Sequence, residues 1–400
     1  LFSLIQDDGY VAQLFPGILF SGGSNKSLRY HLLDNADVQH IVGFENNKIF
    51  NSIDNRKKFA IVNFKASGTS DGFNGVFMKR DVDFLRKVEE HLVWIPKELL
   101  INYAPESGLF PFITSTTHRD VLNKLLRNPQ LREKTDNGWY LDLYRELDRT
   151  SDKDRFVTDP SKGDYPVFAG STIYQFIHDN KEPEFWSVDE EKSQSDSAKW
   201  RIREKDKKNL KTAIYNEFDG SGSQKGFVND LLEKHRGKPL QEEDVLLDST
   251  EYRMVYRHAT SPTNERTLLV AVIPKGVVCH NALTTMRPYE MNPSKEDLAK
   301  DTLHDVYDPI FTDSELFAAA GLLNSIPVDY LMKSKVEENI NMFHLLGTQV
   351  PRLTEGDKWF GYISKRAARL NCYGDQFSEM RERLGGINPV ESDEERRTVQ

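Results

Sequence analysis

The side chains able to make and break bonds are present but scattered. Ten histidines and two cysteines occur in 400 residues. Cys279 and His280 are adjacent, yet no second pair stands at the spacing a zinc site needs, so a buried thiol beside a satisfied or exposed imidazole is expected. Asp189-Glu190-Glu191-Lys192 has the acidic-x-Lys look of a nuclease site, but such runs are common on charged helices and a solvated face is expected. Gly220, Gly222 and Gly226 follow no convincing strand and lack the spacing of a dinucleotide fingerprint, which leaves Asp219 to Ser223 as a flexible connector. No convergent set of nucleophile, base and metal ligands is visible.

The elements that would position a site form an α/β pattern. At 400 residues the chain is long enough for two or three domains, each burying its own core. Strands are predicted at 10–15, 38–44 and 58–64, with a helix at 27–33. Val82, Leu85, Val88 and Leu92 recur at helical spacing, as do Val121, Leu122, Leu125 and Leu126. From about Tyr165 the texture changes to short strands and polar loops, clearest at 252–259 and 268–273. Residues 187–211 are dense in both charge signs and read as helical or solvated, and 314–324 and 328–335 read as helices parted at Pro327. A hydrophobic content of 38% and a charged content of 29% describe a soluble globular protein. No apolar run approaches the roughly 20 residues of a membrane span. The first ten residues lack the pattern of a signal peptide, and two cysteines fit a reducing cytoplasm. A net charge of −9 counts against a nucleic-acid role, although over a screening length of roughly 8 to 10 Å the local patch decides attraction.

Several stretches, in a shared order, resemble the adenine-N6 DNA methyltransferases of type IIG restriction-modification and BREX-like phage-defence systems. Gly9-Tyr10-Val11-Ala12-Gln13-Leu14-Phe15-Pro16 and Ser27-Leu28-Arg29-Tyr30-His31-Leu32-Leu33 are similar to the strand, proline and helix near the close of that family's catalytic domain. Gly43 to Asn46, Ile49-Phe50 and Lys57 to Val62 resemble its last strands. Tyr144 to Asp152 looks like its linker into the recognition domain. Pro166 to Ser171, Gln175-Phe176 and Phe185-Trp186 follow its next pattern, with Ala169 and Ser171 where Glu and Lys are usual. The most specific match is Tyr252-Arg253-Met254-Val255-Tyr256-Arg257, then Thr263 to Leu268. Leu323-Asn324-Ser325, Val328 to Leu331, Lys335 and Val350-Pro351 complete it.

The resemblance implies the end of a Rossmann-like methyltransferase sheet over 1–70, a helical linker over 71–155, an α/β DNA target recognition domain over 156–360 and a truncated helical tail over 361–400. The chain is then part of a longer cytoplasmic protein that methylates adenine N6 with S-adenosylmethionine after flipping the base. Its implied partners are double-stranded DNA and the N-terminal catalytic portion of the same protein, with no membrane. The chemistry itself is not expected in this chain. It has no Pro-Pro dipeptide for the loop that grips a flipped adenine and no glycine turn for S-adenosylmethionine, so no catalytic residue, metal or bound cofactor is assigned. Candidate DNA contacts, as donors within the matching segments, are Arg253, Arg257, Asn264, Arg266, Lys333 and Lys335, the two lysines being expected at the surface. A scaffold role stands beside this for the arginines, with Glu265 and Arg266 as an ion pair locking strands. Phe168, Tyr174, Phe176, Phe185 and Trp186 are expected in the core. The alternative function is a non-catalytic specificity subunit that docks on a separate methyltransferase or nuclease.

Overall fold

The structure, a computed structural model, describes residues 5–400 other than 7, 56, 137, 262, 263, 337 and 338, so Thr263 of the matching segment lies outside the described residues. In chain order the strands are β1 (Tyr10–Pro16), β2 (Asp37–Glu45), β3 (Lys58–Lys65), β4 (Gly72–Lys79), β5 (Val93–Pro96), β6 (Leu143–Tyr144), β7 (Tyr165–Phe168), β8 (Phe185–Ser187), β9 (Arg253–Arg257), β10 (Val270–Ile273), β11 (Val278–Cys279), β12 (Leu283–Met286), β13 (Tyr289–Met291) and β14 (Tyr307–Pro309). The helices are α1 (Ile18–Ser21), α2 (Lys26–Asn35), α3 (Lys97–Tyr103), α4 (Thr116–Leu125), α5 (Ala198–Glu217), α6 (Gln224–Arg236), α7 (Asp313–Leu323), α8 (Ile326–Lys335), α9 (Met342–Leu346), α10 (Phe360–Asn371), α11 (Ser378–Arg383) and α12 (Asp393–Val399). Two compact units result. The first comprises Leu1–Leu131, Tyr330–Glu337 and Phe343–Pro351; the second comprises Arg132–Asp329, Glu338–Met342 and Arg352–Gln400.

The first unit is a mixed sheet in the order β1-β3-β2-β4-β5. β1 and β2 both run antiparallel to β3 and are therefore parallel to each other, joined through α1 and α2 in a strand–helix–strand crossover with β3 returning between them. Period-2 alternation in β3 sends Ala60, Val62 and Phe64 into the main core with Leu33, Ile41 and Phe73. Phe59 and Ile61 join Val42, Phe44 and Val76 on the other face. Arg29 is buried at the helix surface and donates to the carbonyls of Gly108 at 2.6 Å and Gly22 at 2.8 Å, so its charge is satisfied by backbone.

Residues 71–155 are not simply a helical linker: β4 pairs parallel with β2, and β5 pairs antiparallel with β4. Gly72 and Gly75 dilute the strand signal of β4, and the space they leave is used. A Cβ on Gly75 would lie 2.8 Å from the Phe73 ring and 3.1 Å from the Ile41 carbonyl. The helical spacing of Val82 to Leu92 appears as a 3-10 segment, Val82–His91, interrupted at Lys87 (φ −130°, ψ 23°). Phe84, Val88 and Leu92 still pack on the Val42–Phe44–Val76 cluster. The second helical stretch is α4, capped by Ser115, whose hydroxyl accepts from the His118 N–H at 3.1 Å.

The second unit holds an antiparallel sheet in the order β10-β9-β12-β6, a three-stranded sheet β11-β7-β8 and the pair β13/β14. Its helices cover the segments read as helical between 187 and 324. α7 begins at a capping box in which Thr312 and Glu315 satisfy each other's backbone N–H. Helix α7 packs closely on α10 at Gly321, where a Cβ would sit 2.6 Å from Ile363 Cγ2. Of the aromatics expected inside, Phe168 and Phe176 are buried, and Tyr174, Phe185 and Trp186 are half-buried.

Candidate nucleic-acid interface

Strand β9 puts Arg253, Val255 and Arg257 on one face, since side chains alternate. Val255 lies in the core with Phe168, Ala271 and Leu283, and the two arginines bracket it. Arg253 has no exposure to solvent. Its Nη2 donates to Glu146 Oε1 at 2.7 Å and to the Val277 carbonyl at 2.9 Å, while Glu146 Oε2 accepts the Cys279 N–H at 2.6 Å. Arg253 is therefore removed from the DNA-contact set: it is enclosed and paired with the Glu146 carboxylate, which ties β9 to β11, although its Nε and Nη1 have no acceptor among the described residues. A buried charge persists only when paired in this way.

Arg257, at the open end of the same strand, is in a different situation. Its stem runs beside Gly170, where a Cβ would come 3.2 Å from Arg257 Cγ. Its Nε is buried and has no acceptor among the described residues. Buried donors are nearly always satisfied; Arg253 Nε and Nη1 are unfilled in the same way, and what sets Arg257 apart is that it is half-buried where Arg253 is enclosed.

The loop after β9 is braced from within. Thr260 Oγ1 donates to the Thr267 carbonyl at 2.7 Å, and the Asn264 N–H donates to the Ser261 carbonyl at 3.1 Å, with Asn264 Nδ2 3.4 Å from Thr260 Oγ1. Arg266 forms an ion pair with Asp329 at 3.9 Å, with 22% of its side chain exposed. Asp329 Oδ1 also accepts the N–H groups of Thr267 and Leu268, each at 2.8 Å. Arg266 thus helps hold the loop on α8, and Asn264 remains half-buried within it.

Lys333 and Lys335 lie in the last turn of α8 and belong to the first unit. Lys333 is half-buried. Lys335 is buried, which corrects the expectation of a surface lysine. Its Nζ donates to the Gly347 carbonyl at 3.3 Å and lies 5.2 Å over the Tyr103 ring. Burial pushes this ammonium down to about 7. Within the second unit Arg257, Asn264 and Arg266 share one end of the β9/β10 pair and Arg253 is interior; in the first unit Lys335 is interior and Lys333 half-buried.

Two further cations lie in the segment that resembles a linker. Arg145 follows β6, is exposed, and its charge acts on Tyr256 and His258. Arg149 is exposed, stacks 5.2 Å from the Phe185 ring and pairs with Glu184 at 3.6 Å. The alternation in Tyr144-Arg145-Glu146 was the available signal, since it turns Arg145 away from the face that buries Glu146. Among the described residues no group of His, Cys, Asp and Glu could hold a metal ion. No described helix is long and apolar enough to cross a membrane.

No family model and no protein of curated function matches this sequence. Solved structures do. The type IIG restriction endonuclease BpuSI matches at 13% identity, over 96% of this chain and 47% of that one, with a TM-score of 0.33. The type IIL restriction-modification enzyme MmeI, solved in complex with DNA, matches at 11% identity over 98% and 49%, with a TM-score of 0.40. A nuclease-deletion mutant of the type ISP restriction-modification enzyme LlaGI, with a DNA substrate mimic, matches at 11% identity over 92% and 36%, with a TM-score of 0.34. The chain spans less than half the length of each of these proteins. At such identities and scores, what the chain does is decided by its own residues.

Proposed function

We propose that this chain is the double-stranded DNA target recognition part of an S-adenosylmethionine-dependent adenine-N6 DNA methyltransferase of a restriction-modification or phage-defence system. The observation that carries the reading is Arg257: a half-buried guanidinium with an unfilled donor, at the end of a strand whose backbone is locked on both sides. A planar guanidinium held on a rigid element can donate twice to the O6 and N7 of guanine in a major groove. Arg145, exposed beside the same strands, supplies charge for phosphate. Arg266 and Asn264 shape the neighbouring loop.

The first unit supports a catalytic remnant through its β1–helix–β2 crossover, the building block of doubly wound sheets. Within the described residues β1 is an edge strand, with Tyr10 72% and Leu14 45% exposed, and such an edge suits the strands of a catalytic portion. The residues present do not fit the cofactor. The glycine cluster falls in the connector between α5 and α6 rather than after a strand, so S-adenosylmethionine would be held by the catalytic portion.

Binding of the wild type and Arg257→Ala to a site selected from random duplexes, and to a scrambled duplex, tests the reading. Arg257→Ala should lose about 1 to 3 kcal/mol on the selected site only. Equal losses on both duplexes with a lowered melting temperature would place Arg257 in the scaffold and remove the basis of the proposal.

A further inference from the structure

We infer that the hairpin of α5 and α6 carries a second, sequence-independent docking surface for the phosphate backbone of double-stranded DNA, formed by Lys207, Lys208, Lys211 and Lys225. The inference rests on the DNA-binding reading above but uses none of the residues of that site.

The cations along the first half of α5 are occupied. Arg201 pairs with Asp152 at 3.1 Å, Arg203 pairs with Glu190 at 2.6 Å, Lys205 donates to the Glu146 carbonyl at 2.6 Å, and Lys199 lies 3.2 Å over the Tyr165 ring. Past Asp206 the pattern changes. Lys207, Lys208 and Lys211 stand at i, i+1 and i+4, so the helix brings them to one side, and none of their ammonium groups has a hydrogen-bond or ion-pair partner among the described residues. Lys225, in the first turn of α6, joins them across the hairpin.

That placement is fixed by side chains, not by the connector. Gln224 Nε2 donates to Thr212 Oγ1 at 3.0 Å, Tyr215 OH donates to the Gly222 carbonyl at 3.3 Å, and the Tyr215 and Phe227 rings meet edge to face at 5.5 Å. Lys211 consequently feels Lys207, Lys225 and Lys208, with Glu204 the acid facing it, and its ammonium is lowered by burial first and by these neighbours next. Lys208 and Lys225 are exposed, and Lys207 and Lys211 are half-buried.

Four like charges held together weaken the helices that carry them. In a chain with 62 acidic and 53 basic residues, such a patch is a local reversal of sign. The ligand that repays it is a regular line of anions, and a duplex backbone supplies one with release of its condensed counterions.

The test uses the full chain and several unrelated duplexes over a range of salt. Replacing all four lysines by glutamine should weaken every duplex by the same factor, at least tenfold at low salt. It should also reduce the slope of log affinity against log salt by about two to four units. The four-arginine version should keep the wild-type slope, and bound duplex should protect these lysines from acetylation. An unchanged slope in the glutamine variant, with Arg257→Ala still losing site preference, would overturn the patch and leave the function standing. Protection by an acidic polypeptide but not by duplex would overturn the DNA assignment. Absence of duplex binding by the wild type at low salt would overturn both.

Discussion

Arg253 and Arg257 occupy one face of one five-residue strand, and the different fates of their charges follow from what lies opposite each. Glu146, far away in sequence, meets Arg253 in the interior, whereas Arg257 meets Gly170 and an open strand end. Strand character was legible in Tyr252 to Arg257. Which arginine is scaffold was not, because the deciding carboxylate is remote in the chain. Arg253→Ala should cost about 3 to 5 kcal/mol in chemical denaturation by stranding the Glu146 carboxylate, with Arg257→Ala near neutral; similar small losses would contradict the pair. Lys335 makes a second residue-scale case. Its folded ammonium sits at about 7, below its unfolded value, so between the two the unfolded chain binds the extra proton. Its contribution therefore improves as pH rises from 7 toward 10 and is lost as pH falls through that window. Lys335→Met should be about 1 to 3 kcal/mol more stable at pH 7 and should lack that rise. Parallel wild-type and variant stability curves from pH 7 to 10 would show that the amine is hydrated.

Among the elements, β10 shows how the edge of a sheet can be closed by side chains of the same chain. It is an edge strand of its sheet, and its outer backbone groups are taken by two asparagines. Asn324 accepts from the Val270 N–H at 3.1 Å and donates to the Val270 carbonyl at 2.9 Å, and Asn371 does the same for Val272 at 2.9 and 2.8 Å. Each side chain imitates one residue of a neighbouring strand and closes the edge. Asn371→Leu should lower stability by about 1 to 3 kcal/mol, since a buried N–H and carbonyl lose their partner. A change below about 0.5 kcal/mol in urea denaturation would mean that water takes the vacated place. Alternation and apolar runs made β1, β2, β3, β9, β10 and α7 legible in the sequence. Strands β4 and β5 were missed because glycine in β4 and the helical spacing of residues 82–92 outweighed a weak strand signal, and only pairing with β2 makes β4 a strand.

At the scale of the whole molecule, the charge balance and the absent motifs lead to one expectation about chemistry. A net charge of −9 does not by itself set affinity for a polyanion, and under the proposed function the cations at Arg145 and Arg257 and along α5 and α6 would supply the local attraction. Composition hid this, because the sum discards position. The cofactor question is different in kind. Binding S-adenosylmethionine needs a turn after a parallel strand where backbone approaches the ligand, and glycine is what allows that approach. The described β1–helix–β2 crossover has Gly17 directly after its first strand, but Gly17 is used against β3: its N–H donates to the Lys58 carbonyl at 2.6 Å, and a Cβ there would lie 2.5 Å from Lys58 Cβ. That glycine is consumed by packing. We therefore expect calorimetric titration of this chain with S-adenosylmethionine to give no saturable heat, and incubation with duplex DNA and cofactor to give no N6-methyladenine. Both should appear when the catalytic portion of the proposed parent protein is supplied. One-to-one binding at micromolar affinity by this chain alone would mean that the first unit is a cofactor domain in its own right, and its assignment as a closing remnant would be withdrawn.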